Sequence, residues 1–300
     1  MKKILVYYRA PFFTAIIIPV IFGTMLGYSQ TGRLDWLFFA LTLLGAVAAH
    51  GGANAANDYY DFLSGCDVNN PNRTPFSGGS EAIVRGERTA RYFLVLSGIS
   101  FSVALACGAY LVLNIKNGLP VLGSLSVLGF VFGFFYTAPP FKFAYRGFGE
   151  FLIALSFGPL PVLGAYFVQT GKVELYPILM SLPLTFFILN IIWINQFPDI
   201  ATDRKAGKFT LVARMGSGNA RYIYLLIFAA AYLCIIPLVF YLRVSPLLFL
   251  AWLTVPLALN AVRVCFAGHN DVKKLVPAMG MTILIHLLGG VFLTAAVLFA

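Results

Sequence analysis

Apolar runs long enough to cross a lipid bilayer follow one another along almost the whole chain, with only short polar breaks between them. A transmembrane helix needs about 20 predominantly apolar residues, because the hydrocarbon core of a bilayer is about 30 Å thick. The 300-residue chain is 60% hydrophobic and only 11% charged, whereas a soluble protein is about 25% charged. The sequence therefore predicts an all-α, polytopic membrane protein in which residues 1–300 form a single transmembrane domain.

Charged and Pro- or Gly-rich breaks divide the apolar sequence into nine predicted transmembrane helices. The predicted spans are residues 11–29, 36–58, 91–113, 119–137, 148–169, 176–197, 221–242, 245–266 and 276–299. An odd number of spans places the two termini on opposite faces of the membrane, so the distribution of basic residues can orient the chain.

The 21 Lys and Arg residues are distributed unevenly between the two sets of predicted loops. The loops on the far side from the N-terminus contain only Arg33, Lys116, Lys172 and Arg243. All other basic residues, including Lys2 and Lys3, share the N-terminal side, and such loops stay in the cytoplasm. We therefore predict the cell inner (cytoplasmic) membrane as the location, with a cytoplasmic N-terminus. This bias also accounts for the net charge of +10, and neither a basic helix nor an aromatic platform indicates a nucleic-acid partner.

Two clusters of acidic and amide side chains follow apolar runs on this same cytoplasmic face. The first cluster, after the second predicted span, consists of Asn57, Asp58, Asp61 and Asp67. Asn57 and Asp61 are four residues apart and share one face of a helix. The second cluster, after the sixth predicted span, repeats that spacing in Asn195, Asp199 and Asp203. Their recurrence four helices apart predicts two similar helical halves that face each other across a central cavity.

Acidic residues so close to a membrane are costly unless they are paired or functional. Because Mg²⁺ binds one or two carboxylates and completes its shell with water and phosphate oxygens, we predict Mg²⁺ as the cofactor. The candidate ligands are Asn57, Asp58, Asp61, Asn195, Asp199 and Asp203. The alternative interpretation, two solvated helix ends, accounts for one cluster better than for two matching clusters on one face.

Basic side chains near both clusters suit a diphosphate, since charge-assisted hydrogen bonds to phosphate are strong. The candidates are Arg9, Arg73, Lys142, Arg146 and Lys208. Each of them separately is typical of the positive-inside pattern, and their occurrence beside acidic residues is what indicates Mg²⁺ with a diphosphate. His50 is interpreted as a hydrogen-bonded residue between helices, and the four cysteines as inert packing residues.

At these residues the chain resembles the UbiA-type superfamily of intramembrane prenyltransferases, which carry an NDxxD-type motif after helix two and a DxxxD motif after helix six. The resemblance covers nearly the whole chain. It looks most like the 1,4-dihydroxy-2-naphthoate prenyltransferase branch of menaquinone synthesis, through ANDYYDFLSGCD, GGSEAIVRGE, YTAPPFKFAYRGFGEFLIALSFGPLPVLGAYFVQTG and WINQFPDIATDRKAGKFTLVARMG. Two segments depart from the pattern: Gln196-Phe197-Pro198, where relatives often carry an Asn or Asp and an Arg, and NPNRTPFSGG.

The resemblance implies nine helices around a cavity that opens sideways to lipid and is capped by the two Asp-rich loops. It also implies Mg²⁺-dependent transfer of a polyprenyl group from polyprenyl diphosphate to an aromatic acid. The expected acceptor is 1,4-dihydroxy-2-naphthoate or a related naphthoate-type precursor in menaquinone biosynthesis. The expected catalytic residues are Asp61, Asp199, Asp203 and Asp67. Asp67 would orient or deprotonate the acceptor hydroxyl. Aromatic rings near the clusters could stabilise a carbocation, and the candidates are Tyr59, Tyr60, Tyr136 and Phe197.

Three alternatives stay open from the sequence. The acceptor could be another aromatic acid, such as 4-hydroxybenzoate. A transporter for cations or phosphate compounds also has two repeats meeting near charged residues, although the charges here cap one face and are absent from helix midpoints. Alcohol phosphatidyl transfer is a further intramembrane, Asp-rich chemistry, but the DGxxAR pattern expected for it is missing from the sequence.

Overall fold

The computed structural model describes residues 7–68, 70–79 and 81–299, so Lys2 and Lys3 lie outside the described residues. Every regular element within these ranges is a helix, apart from an isolated β-bridge between Thr74 and Ser77. The apolar helices, named α1 to α9 in chain order, are Thr14–Thr31, Trp36–Leu63, Ala90–Asn114, Leu119–Phe134, Gly149–Thr170, Leu182–Asn195, Ser217–Phe240, Pro246–Gly268 and Val272–Leu298. Shorter helices in the connecting segments are Ala10–Phe13, Glu81–Val84, Phe143–Arg146, Leu175–Met180, Ile200–Lys205 and Leu211–Met215. The all-α prediction is confirmed.

Seven of these helices are long and apolar enough to cross a membrane, which makes the chain a multi-pass membrane protein. The other two helices, α4 and α6, lie within the predicted spans 119–137 and 176–197 but are shorter than those predictions. α4 ends before the Pro139-Pro140 pair, because a proline nitrogen carries no hydrogen and cannot donate the backbone hydrogen bond that continues a helix. α6 is separated from the preceding short helix at Ser181, where Pro183 starts a new helix without needing an N–H partner.

Close helix packing in the centre of the protein depends on glycines, as in many membrane proteins. α1 packs against both α5 and α9. A Cβ on Gly23 of α1 would lie 2.3 Å from the carbonyl oxygen of Val162 in α5. A Cβ on Gly290 of α9 would lie 2.2 Å from a side-chain carbon of Ile18 in α1. At the start of α1, Ala15 packs in one apolar cluster with Ile188 and Ile191 of α6.

α2 carries Asn57, Asp58 and Asp61 of the first acidic cluster near its end. The helix has 28 residues, which corresponds to about 42 Å at 1.5 Å per residue, whereas the hydrocarbon core is about 30 Å thick. The Asp35 carboxylate caps its first turn by accepting a hydrogen bond from the backbone N–H of Phe38. Near the other end, the amide of Asn57 donates to Asp61 at 3.2 Å, which confirms that these two residues share one helix face.

The second acidic cluster does not lie on one continuous helix. α6 ends at Asn195, and the chain turns through Gln196–Asp199 before the short helix Ile200–Lys205 begins. Pro198 falls within this turn, and a proline cannot continue a helix ladder. The four-residue spacing of Asn195, Asp199 and Asp203 therefore places the three side chains through a helix end, a turn and a new helix.

Candidate active site

Both acidic clusters line one cavity of about 170 Å³ between the ends of α2 and α6. Its polar end is lined by Asn57, Asp61, Asp67, Asn195, Asp199 and Asp203, together with the cations Arg9 and Lys208. Its other end is lined by apolar side chains, which include Phe12, Ile153, Phe157, Ile188 and Ile191. The cavity can therefore accommodate a ligand with a charged head and an apolar body.

Asp61 is the centre of the polar end and is almost completely buried, at 3% exposure. Its Oδ2 accepts hydrogen bonds from Lys208 Nζ at 2.8 Å and from Asn57 at 3.2 Å, and its Oδ1 accepts one from the Tyr145 hydroxyl at 3.0 Å. The same ammonium lies 3.8 Å from Asp203 Oδ1. One lysine therefore bridges a carboxylate of each cluster, although burial opposes its charged form. Asp203 and Asp61 hold the pKa of Lys208 well above its usual value.

Carboxylates outnumber cations in this cavity. Burial, with repulsion from Asp61, raises the pKa of Asp67 well above its usual value. Burial and the neighbouring Asp203 raise the pKa of Asp199 to about 7, and burial raises that of Asp203 to about 6. Burial is the largest cause of these pKa shifts and repulsion between the carboxylates adds to it, so a bound cation would relieve the repulsive part.

The oxygen atoms around the cavity fit a hard divalent cation. The side-chain oxygens Asn195 Oδ1 and Gln196 Oε1 are buried without a hydrogen-bond partner, and both residues line the cavity. Within the described ranges, no three His, Cys, Asp or Glu side chains are close enough to form a complete metal site by themselves. Mg²⁺ commonly takes one or two carboxylates and completes its shell with water and phosphate. The described side chains could therefore hold such a cation only together with water or a phosphate ligand.

The remaining predicted ligands have other partners. Asp58 is buried at 1% exposure and forms an ion pair with Arg9, which lines the cavity, whereas Asp58 itself does not. The guanidinium of Arg73 donates to the backbone carbonyl of Asp67. The outer cations lie beside the next connecting segment: Lys142 Nζ is 5.2 Å from the ring centre of Tyr145, and Arg146 donates to the carbonyl of Pro140 at 3.1 Å. Asp58, Arg73, Lys142 and Arg146 do not line the cavity, and their roles as ligands stay predictions.

Among the predicted aromatic residues, Tyr136 alone lines the cavity. Tyr59 and Tyr60 pack edge to face with each other at 4.9 Å, and Phe197 borders a separate surface pocket. His50 lies at the apolar end of the cavity, with its ring 4.6 Å from that of Phe157 and its Nδ1 buried without a partner. The residue interpreted from sequence as a hydrogen-bonded packing histidine therefore faces the cavity with an unsatisfied nitrogen.

Two site residues received no role from the sequence, although Tyr145 lies in a segment that carries the family resemblance and Asn70 in the segment NPNRTPFSGG that departs from it. The Tyr145 hydroxyl donates to Asp61 Oδ1 at 3.0 Å and lies 2.6 Å from Ser64 Oγ, and Asn70 donates to Asp199 Oδ1 at 2.7 Å. A further indication is the glycine pair Gly78-Gly79, which follows Asn70 in the same polar segment. Gly79 has a φ of +71°, and a Cβ at this position would lie 1.9 Å from Asp67 Oδ2, so only glycine allows the backbone to approach the carboxylate.

The fold and the cavity define a class: a polytopic helical membrane protein with a carboxylate-lined site at one end of the helix bundle. A family model described as the UbiA prenyltransferase family matches residues 16–284. The chain therefore belongs to the UbiA prenyltransferase family and is a prenyltransferase.

Relatives and solved structures agree with this assignment. The chain is 31% identical over 269 residues to a protein of Bacillus subtilis named 1,4-dihydroxy-2-naphthoate octaprenyltransferase, covering 90% of this chain and 83% of the relative. It is 31% identical over 252 residues to UbiA prenyltransferase domain-containing protein 1 of Xenopus tropicalis, covering 84% and 70%.

The same fold occurs in two archaeal structures. The apo structure of a UbiA homolog from Aeropyrum pernix K1 aligns with a TM-score of 0.65 at 15% identity, covering 93% of this chain and 96% of that one. A UbiA homolog from Archaeoglobus fulgidus, bound to DMAPP and Mg²⁺, aligns with a TM-score of 0.62 at 17% identity, covering 96% and 98%.

Proposed function

We propose that this protein transfers a polyprenyl group from polyprenyl diphosphate to an aromatic acid, in a Mg²⁺-dependent reaction of menaquinone biosynthesis. The proposed acceptor is 1,4-dihydroxy-2-naphthoate or a related naphthoate-type quinone precursor. The observation that carries the proposal is the convergence of both acidic clusters on one cavity, joined by the contact between Lys208 and Asp61. The relative named a naphthoate octaprenyltransferase supports the acceptor, and the fold neighbour bound to DMAPP and Mg²⁺ supports the donor and the metal.

The diphosphate would bind at the polar end of the cavity. The oxygens of Asn57, Asp61, Asn195, Asp199 and Asp203 would hold Mg²⁺, whose positive charge neutralises the diphosphate when both are bound. Arg9 and Lys208, which line the same end, would stabilise the diphosphate as leaving group. The Asp58 carboxylate would support the site indirectly, because its ion pair fixes the guanidinium of Arg9.

Departure of the diphosphate breaks the allylic C–O bond and leaves an allylic cation. The electron-rich ring of the acceptor then attacks this cation to form the new C–C bond, and in the naphthoate case the ring carboxylate leaves as carbon dioxide. Asp67 would orient or deprotonate the acceptor hydroxyl, since burial raises its pKa towards neutrality. The ring of Tyr136, which lines the cavity, could stabilise the cation through its face.

The prenyl tail would lie along the apolar end of the cavity. A space of about 170 Å³ holds only the first part of a polyprenyl chain, so the rest would continue between the helices into the lipid. Burial of each CH₂ group contributes about 0.8 kcal/mol, which would hold a long tail in this apolar path.

We further propose that the chain crosses the cell inner membrane nine times as one domain, with the N-terminus and both acidic clusters in the cytoplasm. In this topology α4 and α6 are the two short spans. α6 has 14 residues, or about 21 Å of helix, and Leu175–Met180 precedes it along the same path. The scarcity of Lys and Arg in the opposite loops supports this orientation.

A product assay tests the proposed function. The full-length protein in liposomes is given one polyprenyl diphosphate with Mg²⁺ and, in separate reactions, 1,4-dihydroxy-2-naphthoate or 4-hydroxybenzoate. We expect a prenylated naphthalene product whose mass shows loss of carbon dioxide, and at least about 100-fold slower product formation by the Asp61→Asn variant. Product from 4-hydroxybenzoate alone would overturn the proposed acceptor, and flux of ions or phosphate compounds without any prenylated product would indicate a transporter.

A further inference from the structure

The loop after α2 carries a side chain that reaches the second acidic cluster. The amide of Asn70 donates from Nδ2 to Asp199 Oδ1 at 2.7 Å, and its own Oδ1 accepts a hydrogen bond from the backbone N–H of Asn72 at 2.9 Å. Asn70 is 8% exposed and lines the cavity. Because both ends of the amide are bonded, its orientation is fixed, with the nitrogen towards the carboxylate.

This contact is the counterpart of the ion pair at the first cluster. Lys208, which follows α6, donates to Asp61 on α2, while Asn70, which follows α2, donates to Asp199 after α6. Each half of the protein thus supplies a donor to a carboxylate of the other half. The two donors differ in charge: an ammonium competes with an incoming cation for the carboxylate, whereas a neutral amide can stay in place when the cation binds.

The surrounding loop holds Asn70 in this position. Gly78 has a φ of +85°, and a Cβ at this position would lie 3.1 Å from Asn70 Nδ2, so the loop folds back directly over the amide. The contact occupies one oxygen of Asp199, and its other oxygen, Oδ2, accepts no hydrogen bond from any described residue. An oriented carboxylate with one free oxygen is a suitable single-point ligand for a divalent cation.

We propose that Asn70 is a positioning residue that holds Asp199 Oδ1 and presents Oδ2 to the divalent cation, and so sets the metal affinity of the second cluster. This inference rests on the proposed Mg²⁺-diphosphate site. Groups that orient a metal ligand through a hydrogen bond typically change metal affinity by about 10- to 100-fold when they are removed. Asn70 therefore acts on the metal through Asp199 and needs no contact with the substrate.

Metal binding can be measured without the transfer reaction. Full-length Asn70→Ala protein is titrated with Mn²⁺ in the presence of inorganic pyrophosphate, with bound Mn²⁺ followed by electron paramagnetic resonance. We expect a Kd for Mn²⁺ at least about tenfold above that of the unchanged protein. The matched control is Asn72→Ala, since this side chain donates at 3.4 Å to the carbonyl of Pro198 and touches no carboxylate. Its Kd should stay within about twofold of the original, the scatter expected for a group outside the coordination sphere.

A double variant separates positioning from a general effect on the loop. In an Asp199→Asn background, Asn70→Ala should add little further loss, because two residues that act through one interaction are not additive. Asn70→Leu keeps the approximate volume without a donor and should match Asn70→Ala, and thermal midpoints show whether each variant is folded. Unchanged Mn²⁺ affinity in a folded Asn70 variant, or full additivity with Asp199→Asn, would overturn the proposal. Because the titration needs no acceptor, absent prenyl transfer by the unchanged protein would instead count against the proposed function.

Discussion

Replacement of Asp61 by Asn removes one negative charge from the polar end of the cavity while preserving the shape of the side chain. The Asp61 carboxylate accepts hydrogen bonds from Lys208 on Oδ2 at 2.8 Å and from Tyr145 on Oδ1 at 3.0 Å, whereas an amide has a single oxygen and can keep only one of these two contacts. The change also relieves the repulsion that Asp61 exerts on Asp67 and Asp203. Lys208 keeps Asp203 as a partner at 3.8 Å, so we expect the variant to fold with a loss of about 1–3 kcal/mol of stability and to hold its metal and diphosphate less well.

The expected loss of activity follows from the role of the charge. Loss of one preorganised electrostatic group typically lowers kcat by about 10²- to 10³-fold, or about 2.7–4 kcal/mol of transition-state stabilisation. The Mg²⁺ concentration needed for half-maximal rate should rise as well, because one candidate ligand loses its charge. Prenyl transfer is measured against Mg²⁺ concentration, and the thermal midpoint of the purified variant is measured in parallel.

Asp58→Asn is the matched control, since Asp58 lies three residues earlier on the same helix and is equally buried. Asp58 forms its ion pair with Arg9, whose side chain is 24% exposed, and Asp58 does not line the cavity. Weakening this largely buried ion pair should cost about 3 kcal/mol of stability and raise the KM for the donor, with the Mg²⁺ dependence unchanged. Equal shifts of the Mg²⁺ dependence in both variants would show that Asp58 is also a ligand. Normal turnover by a folded Asp61→Asn variant would place the site elsewhere.

Excess chelator should abolish prenyl transfer and added Mg²⁺ should restore it, because the carboxylates of the cavity and an anionic donor otherwise repel each other. Full turnover in the presence of chelator would refute the metal requirement. Gly23→Ala should destabilise the protein by about 1–3 kcal/mol, because the added Cβ would lie 2.3 Å from the carbonyl oxygen of Val162 in α5. Gly98→Ala is the control: no atom lies within 4 Å of its added Cβ, so stability should change by less than about 1 kcal/mol. Equal thermal midpoints of the two variants would contradict this packing. In a protein without native cysteines, a cysteine at exposed Lys205 should label with an impermeant thiol reagent only in inverted vesicles, and one at Lys172 only in intact cells; the reverse pattern would invert the proposed orientation.

Much of the fold was predictable because it depends on local sequence. Apolar runs and their polar breaks gave the positions of the helices, since a bilayer requires about 20 apolar residues in succession. The two departures, at α4 and α6, come from prolines close to the ends of the apolar runs. The shared face of Asn57 and Asp61 was likewise predictable, because residues four apart on one helix are neighbours wherever the helix is placed.

The placement of the cations could not be predicted in the same way. Charge and position made Lys142 and Lys208 equivalent candidates in the sequence. The structure directs Lys208 into the cavity, between Asp61 and Asp203, and leaves Lys142 beside the ring of Tyr145. A long flexible side chain near a membrane surface can reach many partners, and only the packing of the segments around it decides which partner it meets.

By itself, the sequence determined the helical class, the approximate spans and the two acidic clusters, because hydrophobicity and helical spacing act over short stretches of chain. The tertiary structure decided that the clusters share one cavity, and that Asn70 and Tyr145 belong to it. The contact of Asn70 with Asp199 joins residues 129 positions apart, and that of Lys208 with Asp61 joins residues 147 positions apart. Such contacts exist only after the two helical halves have packed, since the partners have no fixed distance in the unfolded chain.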